Sequence, residues 1–286
     1  MRQTARAWHA GELRMHSRVP CSLLCALMAT LPSARGGAPA PQEPPAQGST
    51  PAELRAALEK EGVMLDLEAG VLAFPARVLV REDLLEYLLV GPNGATHESL
   101  FVTNVRPSLL NAALLLLGVE PGTNAQWREG SATDEHGRPR KEVDPPHGDG
   151  VYLSAAWREG EETFFFRVED LIANLESGRS LRRHRWVFLG SRFAALKPGT
   201  PEVFLADVEG NLVNLSFFFQ GNTLVTSALE ECIEQSIFIA NPFLVPPRGS
   251  GVRLFVSRKP LETLAPAWAA ELPVVAPEDG SSGDGR

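Results

Sequence analysis

The stretch THESL at residues 96–100 sets a histidine, a glutamate and a serine side by side, the side-chain types of an acid–base or nucleophilic hydrolase. A nucleophilic serine needs a base within about 2.6–3.2 Å, held in turn by a third group. The stretch is predicted to be a strand, where successive side chains point to opposite faces and residues i and i+2 stand roughly 6–7 Å apart. His97 and Glu98 then face away from each other, and His97 cannot reach Ser99 directly. No G-x-S-x-G elbow exposes the serine. Phe101 stands where H-E-x-x-H would need its second histidine. Catalysis here would require acids from elsewhere, and Glu86, Glu98 and Asp207 are the candidates for a hydrolase or lyase whose carboxylates converge from separate strands.

Three other groupings carry potential chemistry. Asp207, Glu209 and Asn211 alternate in ADVEGNL, a weak set of oxygen ligands for calcium; the polar flanks of a hairpin turn are the simpler reading. Arg179, Arg182, Arg183 and Arg185 crowd GRSLRRHRW and form a candidate anion site. A solvated loop balanced by Glu159, Glu161 and Glu162 explains them with less. His136 and His147 lie with Asp134, Glu135 and Asp149 in a polar segment and offer ligands for a metal site; a solvated loop is the simpler reading. No phosphate-binding glycine loop or dinucleotide fingerprint occurs, and neither a metal nor a cofactor is expected.

The elements that must position these residues are mostly strands. FPARVLV, LLEYLLV and ESLFVT are rich in β-branched, aromatic or leucine residues. Asn93-Gly94 signals a two-residue hairpin between the last two. In that register Val90 pairs with His97, Leu89 with Glu98 and Tyr87 with Leu100, leaving Glu86 and His97 roughly 13 Å apart. Glu98 would then be the one charged group on an apolar face packed against residues 107–117. That segment reads as a helix with Pro107 at its first position and Gly118 at its cap. It is apolar almost all round, so it is expected to be central.

Further on, residues 123–149 read as a long loop between two subdomains. VYLSAAW and TFFFRV form a hairpin over REGEE, VEDLIANLE a short helix, and WVFLGSRF, EVFLADV and NLVNLSFFF a strand group joined through Glu209-Gly210. The expected fold is α+β: mostly antiparallel sheet, or a partly open barrel, packed on one central apolar helix with one or two short helices besides.

The ends of the chain read differently. MHSRVPCSLLCALMATL at residues 15–31 has the charged start and short apolar core of a secretory signal peptide, with Ala34-Arg35-Gly36 as a cleavage site. Residues 1–36 are therefore expected to be removed, with Met15 as an alternative start. APAPQEPPAQGSTP reads as a disordered linker over 37–52, the domain as 53–262, and 263–286 as an extension disordered from about 277. Residues 1–36 hold five Lys/Arg and one acid, so the rest keeps 22 basic against 34 acidic side chains, a net charge of −12. That balance argues against nucleic acid, whose phosphates are bound by clustered Lys/Arg. No apolar run after the signal is long enough to span a membrane. Cys232 is then the single cysteine left. It excludes an internal disulfide, an iron–sulfur cluster and a cysteine-rich zinc site, and reads as a buried apolar residue.

LEYLLV, HESL, RPSLLNAALLLLGVEPG, WVFLGSRF, LADVEGNLVNLS and the Asn-Pro with Pro-Pro before the last strand resemble the bacterial YdjY-domain proteins over roughly residues 62–258. The resemblance implies an exported or envelope-associated protein without an established reaction. Some members are linked by name to ferredoxin-type proteins, from which a chain with one remaining cysteine departs. The expected role is a non-catalytic module, periplasmic or extracellular, that binds an envelope protein, a polymer or a small ligand.

Overall fold

The computed structural model describes residues 50–133 and 135–276; the segments expected to be a signal peptide and most of a linker, and the tail from 277, lie outside the described residues. In chain order the strands are β1 (Met64–Asp66), β2 (Val71–Val78), β3 (Tyr87–Val90), β4 (Ser99–Val102), β5 (Gln126–Thr133) and β6 (Pro139–Asp144). There follow β7 (Gly150–Glu159), β8 (Glu162–Arg167), β9 (Ile172–Asn174), β10 (Arg179–Ser180), β11 (Trp186–Phe188) and β12 (Phe193–Ala195). The last are β13 (Glu202–Phe204), β14 (Asn211–Asn214), β15 (Val225–Thr226), β16 (Phe238–Ala240), β17 (Gly251–Ser257) and β18 (Val274–Val275). The helices α1 (Pro51–Lys60), α2 (Pro107–Leu116), α3 (Leu205–Glu209) and α4 (Pro266–Ala269) are all short.

Eight strands close on themselves in the order β2-β17-β7-β11-β15-β14-β3-β4, and β4 returns to β2 through Arg77↔Val102 and Val78↔Phe101. The ring is mixed: β3–β4 and β14–β15 are parallel, the other pairings antiparallel. Strand β2 shows why it closes around a core. Leu72, Phe74, Ala76 and Val78 alternate into the main apolar cluster, whereas Val71 and Ala73 join a second cluster with Leu272, Phe255 and the partly buried Trp268. One face of β2 is covered by the barrel interior, and the C-terminal segment covers the first half of the other, leaving Pro75 and Arg77 exposed. The interior is filled by leucine, valine and phenylalanine, leaving an apolar cavity of about 30 Å³.

This architecture corrects the α+β expectation. The protein is mostly β, and the sheet packs on itself rather than on a central helix. Helix α2 buries Leu109, Leu110, Ala113 and Leu114, with Leu110 and Leu114 reaching the interior cavity. Leu115 and Leu116 on its other side are 47% and 50% exposed. An all-apolar segment therefore covers the barrel as an outer layer, because only one face of it finds a partner. Its limits are those expected: Pro107 opens it, and Gly118 closes it at φ +71° with Val119 N bonded to Leu114 O.

Several local expectations also change. Residues 91–98 do not join an antiparallel hairpin. Asn93-Gly94 still sits in a tight turn, with Gly94 N donating to Gly91 O, but the chain then makes a 3₁₀ turn at Thr96–Glu98 and returns alongside β3 in parallel. The register is Tyr87↔Ser99, Leu89↔Phe101 and Val90↔Val102. Tertiary bonds hold the turn off the sheet: Gly91 N to Gly210 O, Ala95 N to Asn211 Oδ1, and Asn93 Nδ2 to the carbonyls of Asp207 and Val208. LADVE is helix α3 rather than strand, ended by Gly210 at φ +72°. VEDL is one 3₁₀ turn leading into β9. The presumed loop at 123–149 is largely the β5–β6 ribbon, pinned at its base by paired Thr123–His147 bonds. It does not divide subdomains, since β4 and β7 on either side belong to one sheet. The β7–β8 hairpin is as expected, closing at Glu159↔Glu162.

The contact between the 91–94 turn and Gly210 leaves no space for a side chain. A Cβ on Gly210 would meet Gly94 N at 2.6 Å, and its φ of +72° is costly for any L-residue. Gly210→Ala is expected to destabilise the protein by about 2 kcal/mol or more, lowering Tm by ~5 °C or more in thermal denaturation. An unchanged Tm would show that the turn does not need this close approach.

Candidate functional site

The THESL residues meet some partners that strand geometry forbids. Because Thr96–Glu98 form a 3₁₀ turn, His97 Nε2 lies 3.0 Å from Glu98 Oε1, and the His97 side chain is 81% exposed. Glu86 is also brought to Glu98, with Glu86 N donating to Glu98 O. Burial, the charge of Glu98 and a hydrogen bond between the two carboxyls raise the pKa of Glu86, while His97 opposes the shift. Glu86, His97 and Glu98 thus share one corner, contrary to the 13 Å separation, and Glu98 is part-exposed at the edge instead of lying in the core. Ser99 is fully buried and donates to Phe101 O at 2.9 Å, so its hydroxyl is committed to the backbone.

The remaining sequence candidates hold the fold together. Asp207 Oδ1 accepts from Ser108 N at 2.8 Å, in the first turn of α2, where unpaired amides and the helix dipole favour an anion. Burial raises its pKa, and the bonds from Ser108 offset part of that. Glu209 accepts from the backbone and side-chain amides of Asn222, and Asn211 accepts from Ala95 N, so neither pair converges on an ion. Arg183 makes a two-point bond to Asp170, and Arg182 lies 3.5 Å from Glu231; Arg185 stays exposed. Their balancing acids are thus Asp170 and Glu231 rather than Glu159, Glu161 and Glu162. His136 meets Glu135 and His147 meets Asp144, while Asp134 lies outside the described residues. Among the described residues no three His, Cys, Asp or Glu side chains are grouped to hold a metal.

A buried polar chain escaped the sequence reading. Glu169 is fully buried and accepts from Arg167 Nη2 at 2.5 Å and Trp186 Nε1 at 3.1 Å. His184 Nδ1 faces Arg182 O at 3.0 Å, which fixes the proton there and leaves Nε2 as acceptor for the Ser227 hydroxyl at 3.1 Å. Cys232 Sγ is 2.9 Å from the same hydroxyl. These are the residue types of a Ser–His–acid relay, but Ser227, Cys232 and Glu169 have no exposed surface. Burial lowers His184 to about 4 and raises Cys232 to about 12, so both are neutral at physiological pH and the thiol is unactivated. The chain ties β11, β15 and the turn before β9 from inside. Only its members' clustering in RVED and RRHRW marked it in sequence, and they are distant along the chain.

An open surface with convergent chemistry lies elsewhere, around residues 217–223. A groove of about 610 Å³ runs beneath this segment, walled by Tyr87, Phe217, Phe218, Phe219 and Trp127. Tyr87 stacks on Phe218 at 4.7 Å between centroids, and Trp127 on Phe219 at 4.7 Å. Asn124 Nδ2 donates to Phe218 O at 2.7 Å and anchors the start of the ribbon to the same segment. Trp127, at the base of that ribbon, is 52% exposed. Burial, then the charges of Glu86, Glu98 and Glu209, raise the Tyr87 phenol to about 12, so it is a neutral donor. Neither Glu86 nor Glu98 lines the groove.

The Glu86–Glu98 contact has a pH signature. A folded-state pKa raised above its unfolded value means the native state holds that proton more tightly. Its contribution is therefore fully present at acid pH and is lost as pH rises through the raised value. Glu86→Gln mimics the protonated form, and is expected to raise Tm at pH 7 with no gain near about pH 4. Equal shifts at both pH values would rule out titration as the cause.

The comparisons with known proteins give one result. No curated protein and no solved structure matches the chain. A family model described as the YdjY domain matches residues 63–257, from the end of α1 through the last residue of the closing strand β17. The barrel, the buried relay-like chain and the aromatic groove all fall within that span, and the chain belongs to the YdjY domain family.

Proposed function

We propose that this chain is an exported, non-catalytic binding module, working in the bacterial envelope or outside the cell, that holds its ligand in the groove beneath residues 217–223. The half-exposed Trp127 ring, stacked on Phe219 over a concave and partly polar surface, carries this reading. Exposed aromatic rings are enriched where proteins bind, because they supply large contact area at little entropic loss. Hydrolysis by converging acids has less support. Glu86 and Glu98 meet each other near Tyr87 without lining the groove, and Asp207 caps a helix. Among the described residues no helix is long and apolar enough to cross a membrane.

Export rests on the sequence of residues 15–36. Mass spectrometry of the protein from its native host is expected to find an N-terminus between Gly36 and Pro41, and an intact Met1 or Met15 would contradict it. For binding, the full mature chain can be screened against peptides, glycans and small metabolites. At least one class is expected to bind saturably without being turned over, and Trp127→Ala should abolish or greatly weaken the signal. Binding that survives this substitution would place the site elsewhere.

A further inference from the structure

If the groove is the binding site, as proposed above, its lining narrows the ligand. Two stacked ring pairs give it flat apolar faces, Tyr87 on Phe218 with planes 5° apart and Trp127 on Phe219 with planes 28° apart. Between them the polar groups are mainly side-chain amides, which both donate and accept; Asn222 and the Asn211 oxygen are engaged within the protein, so Asn214, Gln220 and Gln235 are the ones a ligand would meet. The lining has one carboxylate, Glu209, and no lysine or arginine. A phosphate, sulfate or uronate chain would meet that carboxylate, and Arg192 in the adjoining cleft is already tied to Asn222 Oδ1. A nucleic acid would meet aromatic platforms but none of the basic charge its backbone requires. Asn214 adds a specific demand: it is 2% exposed, it lines the groove, and its Oδ1 has no hydrogen-bond partner among the described residues. A buried acceptor left without a partner is costly, and a donor from a ligand would recover that cost.

We infer that the groove binds a neutral saccharide chain, with a pyranose ring laid on Trp127 and its hydroxyls bonded to the amides that include Asn214. A sugar ring has an apolar C–H face and an equatorial rim of groups that donate and accept, and this lining offers the complement of both. A chain rather than a single sugar fits because the surface continues. A second cleft of about 490 Å³ lies across the 219–223 segment, bounded by Asn124, Ser191 and Arg192. Arg192 is tied there to Asn222 Oδ1 at 2.9 Å.

The test is an array of neutral and anionic glycans run beside a peptide panel on the full mature chain, with titration calorimetry on the strongest hit. Neutral oligosaccharides are expected to bind. Trp127→Ala should weaken the best of them about tenfold or more, as loss of a stacking platform does elsewhere. Asn214→Ala should weaken it too, with an unchanged Tm confirming that the variant is folded. Phe243→Ala removes a ring that is 92% exposed outside this groove and should leave the affinity unchanged. A peptide or an anionic glycan that binds in a Trp127-dependent way, with no neutral glycan binding, overturns the saccharide class but leaves the groove as a binding site. If nothing on either panel binds, both readings fall.

Discussion

Strand β4 is the piece on which the architecture depends. Its four residues pair on one side with β3 in parallel and on the other with β2 in antiparallel, and these two ladders turn an open sheet into a ring. Closure removes the exposed edges that an open sheet would have to protect. It also surrounds the leucine-rich interior on all sides, so that stability comes from a core shared by strands far apart in sequence. Ser99–Val102 are wholly buried as a consequence, and Ser99 spends its hydroxyl on Phe101 O because no solvent is available to it. A residue that looks nucleophilic in sequence is a strand residue in a barrel seam.

The parallel placement of β4 requires the intervening segment to leave the sheet and come back, and its path organises the neighbourhood. Gly91, Asn93 and Ala95 are bonded to α3 and the start of β14, and Gly94 rests against Gly210 with no room for a Cβ. Helix α3 in turn supplies Asp207 to the N-terminus of α2, so the same short helix locks the turn and caps the helix that covers the barrel. Buried polar side chains play the same part on the other flank, where Arg167, Glu169, His184 and Ser227 link strands through bonds shielded from water. Losing one member of the Arg167–Glu169 pair would leave a buried charge alone, at a cost of several kcal/mol. Glu169, Asp207, His184 and Ser99 are thus consumed by the scaffold, whereas His97, His136 and His147 stay exposed. The aromatic groove is what the scaffold leaves open to a ligand.

Much that is local was legible in the sequence, because its causes lie within a few residues. Pro107 and Gly118 bracket α2, Gly160 and Glu161 turn β7 into β8, and Cys232 lies buried and unactivated. The order of apolar and polar blocks also pointed to the YdjY domain family, to which the chain belongs. The aromatic, β-branched and leucine content of LLEYLLV and ESLFVT marked two strands, but composition does not say which neighbour is paired. An Asn-Gly turn favours an antiparallel partner only while nothing else competes for the turn. Here the carbonyls of residues 207, 208 and 210, more than a hundred positions away, bind it instead.

Tertiary structure alone decided the rest, and for one reason: ring closure and groove formation depend on contacts between distant segments. It turned an all-apolar helix into a covering layer with Leu115 and Leu116 exposed, since only one face of a helix can meet a barrel. It brought Glu86 to Glu98, which a strand register had kept apart, and sent Asp207 to a helix end. It also gathered Tyr87, Trp127 and Phe217–Phe219 from three places in the chain into one surface. Tyr87 and Phe217–Phe219 read in sequence as ordinary strand aromatics, and Trp127 as part of a polar loop. What makes them a candidate site is that the closed barrel draws Phe217 into its core cluster but leaves Trp127 and Phe219 partly exposed at its wall.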